Sequence, residues 1–458
     1  MAGLTVPATH QEFAAPGPGS SKADKMYAPY IISSSEGLAE PEEIVSIVVV
    51  ERLDNGAAAP PVMTKAMRRQ KSVQFAALCM ALYLAGWNDA MVGPLIPRLR
   101  EVYHIGYAVV SLVFIVAAVG YIFGASAYVY LTDRFASILV AVGTSIQALA
   151  PPFPVFVVAR FLVGFATIFL DGGSSAFVAS LTGDTSVRLS IMYTAYGVAA
   201  TCAPLASTQF ARLSQWSLVF LVTVGFAITT AILQVLAFKF QSQEDCLKEI
   251  GQPPLEITED SLNGINKYKQ VFRLHTVHLM ALFLFTHVGI EVTISSWIVT
   301  FMVEERHGGP LYSGYISSAF WGGSTIGRLA LIPLTQKLGE WRALPFYILL
   351  CLGLELVMWL VPSFGVNAVA VVFVGFLFGP IYATVMAYAG RILPPELIGG
   401  AISWIAIFTA AGGAVFPYII GSVASRTGMG SMLPLLMTME ASMLVIWAFV
   451  PKQRAKLT

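Results

Sequence analysis

Charged residues are scarce in this chain. Asp, Glu, Lys and Arg make up 12% of its 458 residues, whereas hydrophobic residues make up 56%. Soluble domains contain about 25% charged residues, and their mean hydropathy is far below the +0.73 of this sequence. The composition therefore predicts a membrane protein. The net charge of +1 gives no reason to expect a nucleic-acid partner.

Signals for catalysis, metal binding and cross-linking are also missing. The sequence contains no Walker loop, no G-x-S-x-G elbow and no H-E-x-x-H pair, so we expect neither an enzyme nor a cofactor. His275 and His278 have no third ligand nearby in the sequence, so we expect no metal site. The four cysteines are far apart and predict free thiols, not disulfides.

Apolar segments long enough to cross a bilayer fill most of the chain, at about 20 residues per crossing. Their predicted bounds are 72–97, 107–131, 136–151, 154–181, 189–211, 216–239, 274–303, 312–335, 343–362, 365–390, 398–424 and 431–450. The third is short for a crossing. The pattern predicts an all-α membrane protein with about twelve transmembrane helices.

The charged stretch between the sixth and seventh segments divides the helices six plus six. We predict these domains: a disordered tail 1–70, a six-helix bundle 71–240, a central loop 241–272, a second bundle 273–450 and a short tail 451–458. The bundles echo each other, because Asp89 and Glu291 lie equally deep in their first helices. Bundles related by pseudo-symmetry are known in transporters.

The basic residues indicate the orientation of the helices. If the N-terminal tail is cytoplasmic, about seventeen Lys and Arg residues flank the cytoplasmic side and about five flank the other. Basic residues in short loops favour the cytoplasm. We therefore expect both tails and the central loop to be cytoplasmic.

Five acidic residues lie within apolar segments: Asp89, Asp171, Glu291, Glu355 and Glu440. A carboxylate at the bilayer centre costs about 2.5–3.5 kcal/mol, so such residues usually face a cavity and serve a function. Glu355 and Glu440 have no polar neighbours in the sequence, which favours a packing role for them. The other three are candidates for binding solute or protons.

Asp89 lies about 27 Å along its helix from Lys71, in the outer half of the segment. The adjacent Trp87 and Asn88 would offer a stacking face and a hydrogen-bonding amide, as a sugar-like solute requires. The alternative is an acid that contacts lipid headgroups near the end of the helix.

Arg160 and Asp171 share one face of the fourth segment, about 16 Å apart along the axis. Arg160 could neutralise Asp89 on a neighbouring helix, or its side chain could extend to the membrane surface. Asp171 is a proton-site candidate, with a packing acid as the alternative. Glu291 precedes Trp297 on the seventh segment, where an interhelical hydrogen bond is the alternative role.

Asp133 and Arg134 follow the second segment on the predicted cytoplasmic side and fit a charge pair that closes an inner gate. Arg328 occupies the corresponding end of the eighth segment. An ordinary loop is the alternative interpretation of the pair.

Several motifs resemble the major facilitator superfamily, and more narrowly the fungal branch of its fucose-permease-like, proton-coupled group. The residues in question are Gly86-Trp87-Asn88-Asp89, Leu131-Thr132-Asp133-Arg134, Leu170-Asp171, Val288-Gly289-Ile290-Glu291 and Gly379-Pro380. The resemblance covers about residues 72 to 450. It implies alternating access between two bundles, with Asp89 and Asp171 as the acids that bind protons or substrate.

The sequence thus predicts a proton-coupled symporter of a small, sugar-like solute, acting as a monomer in the plasma or vacuolar membrane. One alternative is an exporter of an apolar metabolite or drug, driven by proton antiport. Another is a membrane sensor on a transporter scaffold that transports nothing. The expected partners are the solute, protons and the lipid bilayer.

Overall fold

The computed structural model describes residues 64–127, 135–181, 185–239, 241, 243–249, 270–394 and 397–452. The predicted tails up to residue 63 and beyond residue 452, most of the central loop, and both Asp133 and Arg134 lie outside the described residues.

The described part of the first half contains six helical spans. Their bounds are: first, Lys65–Ala90 with Val92–Tyr103; second, Tyr107–Val110 with Leu112–Ala127; third, Ala136–Ala148; fourth, Phe153–Ile168, Phe169–Gly173 and Ser174–Ala179; fifth, Thr185–Ala211; sixth, Val219–Phe238. Lys65 lies within the segment predicted as tail. The helix begins there because Thr64 accepts a hydrogen bond from the Met67 N–H, which caps its first turn.

The described part of the second half contains six more spans. Their bounds are: seventh, His275–Glu304; eighth, Pro310–Ala330; ninth, Glu340–Leu360; tenth, Phe364–Phe378 with Ile381–Ile392; eleventh, Ile398–Thr427; twelfth, Met432–Ala448. Two short helices, Gln243–Glu249 and Ile332–Leu338, lie between spans. The predicted all-α fold with two six-helix bundles is therefore confirmed.

Two of the spans are less apolar or shorter than a typical crossing. Nine described helices could cross a membrane by length and hydropathy, or ten if the bent first span is counted. The third span has only 13 residues, or about 20 Å at 1.5 Å per residue. The eighth is less apolar than the other spans, because it contains Arg328, four glycines and four buried serines: Ser313, Ser317, Ser318 and Ser324.

Prolines interrupt the first and tenth spans. The first bends by 41° after Ala90, because Pro94 has no N–H to donate to the Ala90 carbonyl. Pro380 interrupts the tenth span in the same way and leaves the Phe376 carbonyl without its helical donor. These breaks let backbone groups in the middle of the spans contact neighbouring helices.

Within each half, a pair of glycines brings two neighbouring spans into close contact. Gly120 and Gly124 of the second span abut fourth-span carbonyls, including that of Phe165. Gly323 and Gly327 do the same in the second half, where the eighth span meets the tenth. Any side chain at these positions would meet backbone, as in small-xxx-small packing. The Gly-x-x-x-Gly pairs of the second and eighth spans therefore pack in equivalent ways in the two halves.

The two ends of the first span define two opposite faces of the molecule. We call the end where the first span begins, near Lys65, the tail face, and the end where it finishes, near Tyr103, the distal face. Gln70 donates to the Ala237 carbonyl at the tail face. At the distal face the two halves meet: Gly93 packs on the Ser295 carbonyl.

Candidate functional site

Asp89 lies on the first span and its side chain is exposed, although both of its chain neighbours are buried. The Tyr196 hydroxyl donates to Asp89 Oδ2 at 3.0 Å. Tyr196 comes from the fifth span and its ring packs edge-on against Trp321 of the eighth span, so Asp89 is bonded to a residue that contacts the second half. That Asp89 faces a solute cavity stays a prediction.

Arg160 is buried, 5% exposed, and lies within electrostatic range of Asp89. Its direct partner is Asn88, whose Oδ1 accepts from Arg160 Nη1 at 3.0 Å. Arg160 therefore does not extend to the membrane surface. The Asn88 amide is occupied by the guanidinium, which it holds close to the Asp89 carboxylate.

Asp171 lies in a π-helical turn, Phe169–Gly173, within the fourth span. Turns of this kind are frequent at functional sites because they redirect side chains within a helix. The Tyr193 hydroxyl donates to Asp171 Oδ1 at 3.3 Å and lies 3.2 Å from Ser175 Oγ. Asp171 and Asp89 are within electrostatic range of each other.

Tyr193 and Tyr196 therefore each hold one of the two acids. They are three residues apart, which places them on the same face of the fifth span. Neither tyrosine is among the site residues predicted from the sequence. A sequence signal existed in the Tyr193-x-x-Tyr196 spacing, but it does not indicate which carboxylates the hydroxyls contact.

Glu291 is partly buried on the seventh span and accepts a hydrogen bond from Ser324 Oγ at 3.4 Å. Arg328, one turn after Ser324 on the eighth span, is an electrostatic partner of Glu291. Tyr196 is also within electrostatic range of Glu291. The acids of the two halves are thus connected through a tyrosine of the first half.

Arg328 also binds backbone carbonyls on two other spans. Its Nε donates to Gly379 O and its Nη1 to Tyr193 O, each at 3.4 Å. Gly379 belongs to the second half and Tyr193 to the first, so Arg328 links the halves beside Asp171. The other two predicted gating residues, Asp133 and Arg134, lie outside the described residues.

The two tryptophans that were predicted as site residues are buried within the protein. Trp87 is 4% exposed, its Nε1 donates to Thr223 Oγ1 at 3.1 Å and its ring packs on Phe226. Trp297 is fully buried and donates to the Pro417 carbonyl at 2.9 Å. The expected stacking face of Trp87 is therefore covered, because both the indole N–H and the ring have partners within the first half.

An ionic contact joins the halves at the distal face. Arg100 Nη1 lies 2.6 Å from Glu304 Oε1, and the Tyr107 hydroxyl donates to Glu304 Oε2. The Arg100 guanidinium stacks over the Tyr107 ring, with its carbon 3.6 Å from the ring centre. The first, second and seventh spans are thereby tied together. This cluster was not predicted from the sequence, because its members are distant in sequence and its charged residues individually resemble ordinary loop charges.

The chain's relatives agree with this architecture. A sequence profile of the Major Facilitator Superfamily matches residues 78–417. The chain therefore belongs to the Major Facilitator Superfamily, whose members are transporters and not enzymes. It is an integral, multi-pass membrane protein.

One yeast protein and two solved transporter structures are similar to this chain over most of its length. The chain is 30% identical over 405 residues to "Bypass of stop codon protein 6" of Saccharomyces cerevisiae, covering 82% of each chain. It is similar to a crystal structure of a D-xylose-proton symporter, with a TM-score of 0.67, 12% identity, and coverage of 84% of this chain and 99% of that one. A crystal structure of a mutant nucleoside transporter NupG gives a TM-score of 0.65 at 10% identity, covering 83% and 100%.

Proposed function

We propose that this chain is a proton-coupled transporter of a small, sugar-like solute that works by alternating access. The observation that supports it most is the cluster of Asp89 and Asp171, each accepting a hydrogen bond from a tyrosine of the fifth span. Carboxyl groups among hydroxyl donors between two bundles can exchange a proton and bind a polyol. The D-xylose-proton symporter among the structural relatives adds support.

In this proposal the two acids have different roles. Asp89 is the more exposed and binds the solute as well as a proton. Asp171, which accepts a hydrogen bond from Tyr193, takes up the coupling proton. Arg160 keeps a positive charge beside Asp89 through its bond to Asn88. Glu291 would bind solute from the second half.

Alternating access requires contacts between the halves that form and break. The Arg100–Glu304 pair and the Gly93–Ser295 contact close the distal face in this structure. We propose that the tail face is cytoplasmic, because the basic residues flank that side. The described arrangement then corresponds to a state closed toward the outside, and Arg328 contributes to the gate nearer the cytoplasm.

Uptake into proteoliposomes tests this proposal. The purified chain would be reconstituted and offered sugars, nucleosides and lipophilic metabolites, with and without an imposed pH gradient. We expect accumulation of a sugar-like solute when the source side is acidic. Accumulation of a lipophilic compound against an opposite proton flux would favour the exporter instead. Binding without any transport would favour the sensor.

A further inference from the structure

Glu355 and Glu440 form a buried acid pair that the proposed transport cycle does not use. Glu355 is 1% exposed on the ninth span and Glu440 is 0% exposed on the twelfth. None of their four carboxyl oxygens has a hydrogen-bond partner among the described residues. Isolated buried charges are strongly unfavourable, so an unpaired, ionised pair could not be maintained here.

The surroundings of the pair exclude most sources of compensating charge. Glu440 has Glu355 as its electrostatic neighbour, and the thiol of Cys351, one turn before Glu355, lies within range of both. In the cavity beside Glu355, the lining residues from the seventh and tenth spans are apolar: Ile294, Ile298, Val371 and Val374. Among the described residues, no basic side chain hydrogen-bonds to either acid.

A cavity of about 10 Å³ adjoins Glu355. This volume has room for about one water molecule. Apart from Glu355, its lining consists of eight apolar side chains: Ile294, Ile298, Met358, Val371, Val374, Met432, Leu433 and Leu436. A metal cation would lack the oxygen ligands that hard cations require. A proton needs no such shell.

We infer that Glu355 and Glu440 together form a proton-binding site, separate from the Asp89–Asp171 cluster, which retains its proton throughout transport. The proton comes from solvent water when the second half folds. It converts at least one carboxylate into a carboxylic acid, whose O–H donates to the carboxyl group of the other acid. The pair thus becomes a hydrogen-bonded link between the ninth and twelfth spans.

Infrared spectroscopy of the purified full chain in lipid nanodiscs tests this inference, because a protonated carboxyl and a carboxylate absorb at different carbonyl frequencies. Near neutral pH we expect a carboxylic-acid band that shifts on deuteration and is lost in the Glu355→Gln/Glu440→Gln double variant. The Asp171→Asn variant should retain this band and serves as the control. If the double variant does not fold, each single Gln variant should shift the band or reduce its intensity, because it removes one of the two acids and the hydrogen bond between them.

Thermal unfolding provides a second, independent readout. We expect each single Gln variant to melt within about 3 °C of the wild type, because the amide is neutral and still forms a hydrogen bond. Absence of the band from the wild type, or a Na⁺-dependent rise in melting temperature that the double variant loses, would overturn the inference. Neither readout depends on transport, so a failure of the proposed function would leave this result intact.

Discussion

Arg328 of the eighth span donates to the backbone carbonyl of Tyr193 in the fifth span, with Nη1 and O 3.4 Å apart. The hydroxyl of the same tyrosine donates to Asp171. One residue of the first half thus contacts the proposed proton site with its side chain and the second half with its backbone. We propose that a change in the charge of Asp171 reaches the contact between the halves through Tyr193.

We predict that Arg328→Lys slows transport at saturating solute and leaves the affinity nearly unchanged. An ammonium on a single stem cannot donate to Gly379 O and Tyr193 O in the fork geometry of a guanidinium. A hydrogen bond from a charged group contributes about 1.5 kcal/mol at the low end. Losing one therefore changes a conformational equilibrium about tenfold. Solute-dependent fluorescence measures the affinity and counterflow measures the rate. A raised Kd with an unchanged rate would instead assign Arg328 to solute binding.

We predict that Glu304→Gln shifts the molecule away from the state closed at the distal face. Arg100 and Glu304 are 24% and 35% exposed, so solvent screens the pair and it contributes about 0.2–1 kcal/mol. The expected shift in population is at most about fivefold, and high salt should reduce the difference from wild type. Maleimide labelling of a cysteine at Thr208, which packs on Gly314 at the distal face, would measure it.

The double variant Arg100→Glu/Glu304→Arg is the matched control for this ion pair. It keeps opposite charges at the two positions, so we expect labelling closer to the wild-type rate than in Glu304→Gln. Equal labelling of wild type, single and double variants would show that the pair does not contribute to closure.

We predict that Gly93→Val prevents closure at the distal face without unfolding the protein. A Cβ at Gly93 would overlap the Ser295 carbonyl across the contact between the halves. The state with the distal face open avoids this clash, so transport should fall to background while the melting temperature changes little. Gly353→Val is the control, since a Cβ there meets nothing within 4 Å. Normal transport by Gly93→Val would mean that the halves do not need this contact.

We predict that Trp87→Phe lowers stability and leaves the KM for solute unchanged. Phe retains the contact with Phe226 but loses the hydrogen bond to Thr223, which contributes about 0.5–1.5 kcal/mol. Thermal unfolding and uptake kinetics measure the two effects. A raised KM at unchanged stability would restore Trp87 as a stacking surface for the solute.

The positions of the spans could be predicted from the sequence because bilayer thickness sets a length scale that apolar segments must meet. The same length scale indicated that the third span is short. Counting residues along the segments also showed that Asp89 and Glu291 lie at matching depths in their spans. The fourth-span acid was also recognisable, because a carboxylate among apolar residues is costly wherever it points.

Partners across spans could not be predicted in the same way. Whether Asp89 binds Tyr196 or Arg160 depends on how the spans rotate and tilt, which packing decides and composition does not. Trp87 is an example. Its proximity to Asp89 in the sequence suggested a shared cavity, but side chains two residues apart on a helix point in directions that differ by about 200° around the axis. The Arg100–Glu304 pair likewise joins residues that only the folded chain brings together.

The most direct test of the account is the Asp171→Asn variant, assayed in proteoliposomes for both accumulation and counterflow of the same solute. Asn cannot exchange a proton but can still accept a hydrogen bond from Tyr193. We therefore predict that accumulation driven by a pH gradient is abolished while counterflow persists. Asp89→Asn should weaken solute binding as well. If Asp171→Asn still concentrates the solute with normal pH dependence, Asp171 is not the coupling acid and the role would pass to Glu291.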